Sequence, residues 1–188
     1  ADGSIAAEEE NLALVRRAHT LRIVVMATIT NRRNHASPFD ARISGSILAS
    51  AASRSAHIDR LVRLCTKKGF DGIDMDWEEL PAGDRGRFTA FIRELAHKLH
   101  ANNRILSIAV YPKVAEPGSW GAQKAEDYAR LGAAVDELKV MTYAFSGDWS
   151  APGPQMPLHW AQQILEFAKS QVPAKKVYMG LPFFGFDW

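Results

Sequence analysis

Apolar positions recur along the chain with two periods, and the switch between them lays out the elements in order. Ala6 to about His19 reads as a helix. It is acidic at its start (Glu8, Glu9, Glu10) and basic near its end (Arg16, Arg17), which suits the helix dipole. Leu12, Val15 and Ala18 or His19 form its buried stripe, and Asp2-Gly3 ahead of it is a turn signal. Leu21–Thr30 is a continuous apolar run rich in β-branched residues, and it predicts a fully buried parallel strand. A polar loop, Asn31–His35, follows, and 36–52 reads as an irregular connection with a short helical turn around Ile43–Ser50. Ser53 or Ser55 caps a helix from Ala56 to about Lys68, with Ile58, Leu61, Val62 and Cys65 inward and Gly69 as its stop. Asp84 is a plausible cap for a helix over 85–100, where Phe88, Phe91, Ile92, Leu95, Ala96 and Leu99 keep three- and four-residue spacing. Arg104–Tyr111 predicts a buried strand stopped by Pro112, 123–133 a short helix, Leu138–Tyr143 a strand, and 158–170 a helix carrying Trp160, Ile164, Phe167 and Ala168. Lys176–Phe186 supplies the last strand segment. Strand and helix alternate throughout, the pattern of an α/β fold with a parallel sheet.

The exception to this apolar regularity is Phe70–Glu78, read Phe-Asp-Gly-Ile-Asp-Met-Asp-Trp-Glu. Ile73, Met75 and Trp77 share one face of a strand, and Asp74, Asp76 and Glu78 share the other. A solvated acidic turn or a half-exposed strand would be the plainer reading. Aspartate is depleted in strands, however, and three like charges along one face repel. Side chains two apart on a strand have Cα atoms about 6.5 to 7 Å apart. Carboxylates crowded at that spacing titrate as a coupled set, so one stays protonated near neutral pH while a neighbour stays ionised. Glu78 has the longest reach and stands at the C-terminal end of the strand, which makes it the candidate general acid. Three carboxylates also suit Mg²⁺ or Ca²⁺, but no acidic or histidine cluster elsewhere completes such a shell. No metal or cofactor is expected. Asp71 has the opposite parity and reads as structural. Glu79 should point away from Glu78 by the same parity.

Asp71–Glu78 resembles the DGxDxDWE signature of glycoside hydrolase family 18, the chitinase-like family. The resemblance implies a (β/α)8 TIM barrel and retaining hydrolysis of β-1,4 bonds next to N-acetylglucosamine, with the substrate's own acetamido group as nucleophile. It implies that Glu78 protonates the leaving oxygen, that Asp76 orients the acetamido group, and that Asp74 holds and tunes Asp76. Met141-Thr142-Tyr143 resembles the family's MTYD motif, with Tyr143 bonding the acetamido group. The carboxylate that normally follows is Ala144 here. Gly180–Trp188 resembles GxPxYGxxW, with Phe184 in place of the usual tyrosine. The Gly-Phe-Asp-Trp ending and Asp127-Tyr128 are similar to the spore-germination and cortex-lytic branch. Trp120, Trp149, Met141, Phe184 and Trp188 are the expected substrate contacts. Trp120 could equally be a loop plug, Tyr143 a core tyrosine, and Asn31–His35 either a solvated or a sugar-contacting loop. Trp160 is expected to pack.

Composition narrows the rest. The chain has 188 residues, with 23 basic and 21 acidic residues and a net charge of +2. That balance argues against a nucleic-acid partner. Cys65 is the only cysteine, which excludes an intrachain disulfide, and its position reads as core. No run reaches transmembrane length and no signal peptide is visible. Four of the six histidines fall on predicted helices among polar neighbours and read as surface residues. A whole barrel takes about 250 residues. The five strands here align with the third to seventh strands of the family, so 1–188 is expected to be an incomplete catalytic domain lacking the first two strands and the eighth. Exposed barrel edges would then favour self-association. The expected substrate is chitin or peptidoglycan, and the expected location is secreted or cell-envelope. The rival function is glycan binding on the same scaffold without turnover, which Ala144 and Phe184 favour and Glu78 opposes.

Overall fold

A computed structural model of the chain describes Ile5 and residues 12–188. The Asp2-Gly3 turn and the acidic helix start at Glu8–Glu10 lie outside the described residues. Five parallel strands form one sheet: β1 (Met26–Thr30), β2 (Gly72–Asp76), β3 (Ile105–Val110), β4 (Glu137–Val140) and β5 (Val177–Met179). Their order in space is their order in the chain. Helix α1 (Leu12–Thr20) precedes β1. Helices α2 (Ala41–Leu48) and α3 (Ala51–Lys68) cross from β1 to β2, and α4 (Arg85–His100) crosses from β2 to β3. Helices α5 (Gly121–Ala125) and α6 (Tyr128–Ala134) lead to β4, and α7 (Leu158–Gln171) leads to β5. Repeated strand–helix units with sequential parallel pairing are the building plan of a (β/α)8 barrel.

The helices cover one face of the sheet. Ile73 and Met75 are fully buried beneath them with Leu61, Phe91, Ile92, Leu106, Ile108 and Leu138. Trp77 is buried on the same side, stacked on Phe91 with ring centroids 4.8 Å apart. His57 of α3 is buried beside both rings, contrary to the surface role expected of it, because its helix turns it onto this aromatic cluster. Cys65 is buried as expected, and burial pushes its thiol up to about 11. The small second residue of the acidic motif has a packing reason. A Cβ on Gly72 would stand 2.4 Å from the Ile105 carbonyl oxygen, so β2 and β3 approach closely only with glycine there.

Several boundaries differ from the sequence reading. The run Leu21–Thr30 is not one buried strand. Only Met26–Thr30 pairs, Leu21, Ile23 and Val24 are more than half exposed, and only Ile29 of β1 is buried. Among the described residues β1 has β2 as its one neighbour, so its apolar character is not matched by cover. Helix α3 begins at Ala51, ahead of the expected start, because Ser50 and Ser53 form a reciprocal capping box. Asp40 caps α2 by accepting from the Arg42 N–H. Asp84 makes no capping bond; it ends a short 3₁₀ turn and pairs with Arg87 at 3.0 Å. The helix expected over 123–133 is two helices, split where Asp127 caps the second by accepting from the Arg130 N–H.

The N-terminal end of the sheet carries one device twice. Asp71, just before β2, accepts from the Val25 N–H at 2.8 Å and lies 2.9 Å from Nε2 of His19 near the end of α1. Asp136, just before β4, accepts from the Leu106 N–H at 2.8 Å and lies 2.9 Å from Nε2 of His100 at the end of α4. In each case a carboxylate ties the start of one strand to the start of its neighbour and to the helix leading into it. Asp71 therefore has the structural role its parity implied.

Candidate active site

The opposite end of the sheet gathers the acidic face of β2. Asp74 sits deepest. It accepts from the Ser107 hydroxyl, from Lys139 Nζ at 3.1 Å and from the Thr28 hydroxyl at 3.4 Å. These partners come from β3, β4 and β1, so three neighbouring strands converge on one carboxylate. Asp76 stands one pleat higher. Its Oδ1 is buried and has no hydrogen-bond partner among the described residues. Burial and then the Asp74 charge push its carboxyl above the usual carboxylate range, with Arg32 opposing. Asp74 thus acts on Asp76 through charge rather than through a bond given between them.

Glu78 follows the last paired residue of β2. Asn31 holds its peptide from both sides: Asn31 Nδ2 donates to the Glu78 carbonyl at 2.8 Å, and the Glu78 N–H donates to Asn31 Oδ1 at 3.0 Å. The carboxylate accepts from the Tyr111 hydroxyl at 2.7 Å. Burial pushes Glu78 upward; the Tyr111 bond and Arg32 pull it down, and Asp76 and Glu79 push it up further. The net direction is upward, which suits a group that must hold a proton near neutral pH. Tyr143 lies beyond β4, with its hydroxyl held protonated by burial first and then by the charges of Asp76 and Glu78. Its ring packs edge-on against Phe184 with centroids 5.6 Å apart, over Gly180, where a Cβ would come within 2.9 Å of the ring. Asp74, Asp76, Glu78 and Tyr143 are therefore brought to one site.

Beside the acids lies a cleft of about 770 Å³ lined by Tyr111, Lys113, Trp120, Tyr143, Trp149 and Trp160, among others. Trp120 packs edge-on against Tyr111 with centroids 4.6 Å apart. Trp149 is exposed and meets Phe186 at 5.9 Å. Trp160 does pack, against Phe145 at 5.1 Å, and also walls this cleft. Ala144 lines the cleft in a left-handed backbone conformation, φ 62°. Phe184 and Trp188 are half exposed, and Phe186 links them, so Trp188 joins an aromatic row rather than the acids themselves. Met141 is half-buried at the end of β4, where its N–H donates to the Val110 carbonyl at 2.9 Å.

Two expectations needed correction or completion. Glu79 does not point away from Glu78. The strand has ended, and a left-handed turn at Glu79, φ 59°, returns its carboxylate to within 3.2 Å of the same Tyr111 hydroxyl. Parity holds only where the backbone is extended. Tyr111, Lys139 and Ser107 are not singled out by the sequence, and Asn31 and Arg32 enter it only as part of the loop Asn31–His35. The available signal was position, since each lies on or just beyond a strand adjacent to the acidic one. No group of three or more metal-ligating side chains among the described residues is arranged to hold an ion.

Comparison with known proteins gives these features a context. The family model described as "Glycosyl hydrolases family 18" matches residues 13–188. YdhD of Bacillus subtilis (strain 168), provisionally named a sporulation-specific glycosylase, is 31% identical over 187 residues, covering all of this chain and 44% of its own. Its crystal structure superposes with a TM-score of 0.93 at 30% identity, covering all of this chain and 61% of that one. The cortical fragment-lytic enzyme of Bacillus anthracis is 28% identical over 187 residues, covering all of this chain and 43% of its own. A class V chitinase structure from Pseudomonas fluorescens Pf-5 matches at 34% identity with a TM-score of 0.90, covering 96% of this chain and 57% of that one. The chain spans less than half the length of these curated relatives.

Proposed function

We propose, from the premise that the chain belongs to glycosyl hydrolase family 18, that it cleaves β-1,4 bonds next to N-acetylglucosamine in chitin or peptidoglycan, with retention. Glu78 donates a proton to the leaving oxygen and later takes one from water. The substrate's acetamido oxygen attacks the anomeric carbon and forms a cyclic oxazolinium ion. Asp76 accepts a hydrogen bond from the acetamido N–H and balances the charge that develops there, while Asp74 sustains the Asp76 proton affinity. Tyr143 donates to the acetamido oxygen. Trp120 and Trp149 offer faces to sugar rings along the cleft, and Met141, Phe184 and Trp188 complete the walls. The same reading takes 1–188 as part of a (β/α)8 catalytic domain acting outside the cell or in its envelope, with the open strands at β1 and β5 as surfaces for self-association.

The observation that carries this reading is the pairing of two half-buried carboxyls on one strand face, Asp76 with a buried oxygen that has no hydrogen-bond partner among the described residues and Glu78 held on a hydroxyl. Both have raised proton affinity, and a tyrosine just beyond β4 feels the charge of each. One observation favours the rival, glycan binding without turnover: Ala144 puts a methyl group on the cleft wall where the family pattern carries a carboxylate. The experiment measures reducing-end release from N-acetylglucosamine oligomers by the protein and its Glu78→Gln variant, with binding followed by calorimetry. Hydrolysis lost in the variant with binding retained supports the enzyme. Binding by both with hydrolysis by neither turns the reading to the rival.

A further inference from the structure

Tyr111 sits at the end of β3, and every polar group it carries is gripped. Its hydroxyl donates to Glu78 Oε2 at 2.7 Å and lies 3.2 Å from Glu79 Oε1. Its N–H donates to Glu126 Oε2 at 2.9 Å. Its carbonyl accepts from the Tyr128 hydroxyl at 2.5 Å. Its ring is packed by Trp120. Glu126 and Tyr128 flank the break between α5 and α6, and both are buried.

That break is itself braced. The Glu126 carbonyl accepts from Lys113 Nζ and from Arg85 at 2.9 Å. Arg85, the first residue of α4, also pairs with Glu116 at 2.8 Å and Asp127 at 3.0 Å. Lys113 pairs with Glu116 at 2.9 Å and stands over the Tyr128 ring. A partly buried cluster of three acids and two bases, with Lys113 and Glu126 fully withdrawn from water, is costly to desolvate and weak evidence for stability. Here it surrounds the backbone of one residue, and that residue's hydroxyl ends on the candidate acid.

We propose that Tyr111 is the positioning residue of Glu78, held by the α5–α6 junction as a strut that fixes the carboxyl on the cleft side of the sheet. The role rests on the reading of Glu78 as general acid, but the contact does not. A hydroxyl that donates to a carboxylate stabilises the ionised form and opposes the burial that disfavours it. Tyr111 keeps its proton throughout, since burial and the adjoining carboxylate both push its own ionisation upward. The other charged or titratable groups facing Glu78 are Asp76 on β2, Arg32 after β1, Glu79 beside it, Tyr143 after β4 and Glu126 at the junction. Without the strut, the remaining acids and burial drive the Glu78 proton affinity higher, and the carboxyl gains rotamers that miss the substrate.

The test titrates the Glu78 side-chain carbon by NMR in the full chain, assigned by its loss in Glu78→Gln, and compares Tyr111→Phe and Tyr128→Phe. Tyr111→Phe keeps the ring against Trp120 and should raise the Glu78 midpoint by about one pH unit. Tyr128→Phe frees the Tyr111 carbonyl, together with the Lys113 N–H that also meets the Tyr128 hydroxyl, and should move the midpoint the same way by less. On a fluorogenic N-acetylglucosamine disaccharide, the alkaline limb of kcat/KM should rise with the midpoint in Tyr111→Phe, while kcat falls about tenfold. An unmoved Glu78 midpoint in Tyr111→Phe overturns the proposal. A moved midpoint there with none in Tyr128→Phe overturns the role of the junction. Absence of turnover in the parent protein would sink the hydrolase reading and leave the titration to decide the strut.

Discussion

Asp71 and Asp76 bracket the same five-residue strand, and both are partly withdrawn from water, yet their surroundings act on them in opposite senses. At Asp71 burial pushes the carboxyl up, but the Val25 N–H, His19 and the charges of His19 and Arg104 together hold it below the usual range. At Asp76 burial pushes in the same direction, and the strongest charge acting on it is another carboxylate. Desolvation is common to both ends; the supply of donors is not. The N-terminal ends of parallel strands present backbone N–H groups and the ends of incoming helices. The C-terminal end of β2 presents acids to acids, and its donors are spent on Asp74 and Glu78. One end is built to hold and the other, on the proposed function, to react, the division that barrel enzymes make between their two faces.

This contrast has a pH signature. The Asp71 carboxyl ionises more readily in the fold than in the unfolded chain, so its contribution is full above the unfolded value of about 4 and is lost as pH falls through the folded value. Asp76 and Glu78 bind their protons more tightly in the fold, so they favour folding at low pH, and that advantage fades as pH rises through their folded values. At neutral pH the site therefore costs stability that the opposite end supplies.

The largest effect that could break this comparison is at Asp76. Asp76→Asn should lower turnover by about a hundredfold or more. At pH 7 it should raise the melting temperature by a few degrees, equivalent to about 1 kcal/mol. A lower melting temperature would mean that Asp76 has donors not accounted for. Asp71→Ala should do the reverse, losing about 2 kcal/mol, roughly 4–8 °C, with kcat unchanged. Its melting temperature should also depend less on pH between about 5 and 2 than that of the parent, since the titrating group is gone. A variant as steep as the parent would locate acid sensitivity elsewhere. The smallest effect is at the second copy of the device: Asp136→Ala should cost about 1 kcal/mol by thermal melts, because its histidine pair is more exposed and only the Leu106 N–H bond counts fully.

Much of this was legible in the chain. The apolar parity of Ile73, Met75 and Trp77 gave the correct inward face, and with it the correct side for Asp74 and Asp76, because side-chain alternation along an extended strand is a local property. The helix at 85–100 was legible to its ends for the same reason, since its apolar spacing is unbroken. Parity failed one residue past the strand, at Glu79, where a single left-handed residue reversed the direction. Tyr111 was not legible because its meeting with Glu78 depends on the stagger between β2 and β3 and on that turn, neither of which leaves a local trace. His19 reads as part of a helix stripe and His100 as a surface residue. Their shared role emerges only when each helix end is set beside the aspartate that begins a later strand.

The agreement between spatial and sequential strand order bears on how the chain is assembled. Every ladder in the described sheet joins a strand to its immediate predecessor, so no pairing waits for a segment synthesised much later. Each β/α unit can dock as it emerges, and loop-closure entropy is met in instalments rather than at one step. The Asp71 and Asp136 ties would act as latches in that sequence, since each forms only when a new strand arrives beside the old one. On a ribosome, growth of this kind proceeds from β1 toward β5, and the carboxylates of β2 would be in place before Tyr111, whose hydroxyl bonds Glu78, has left the tunnel.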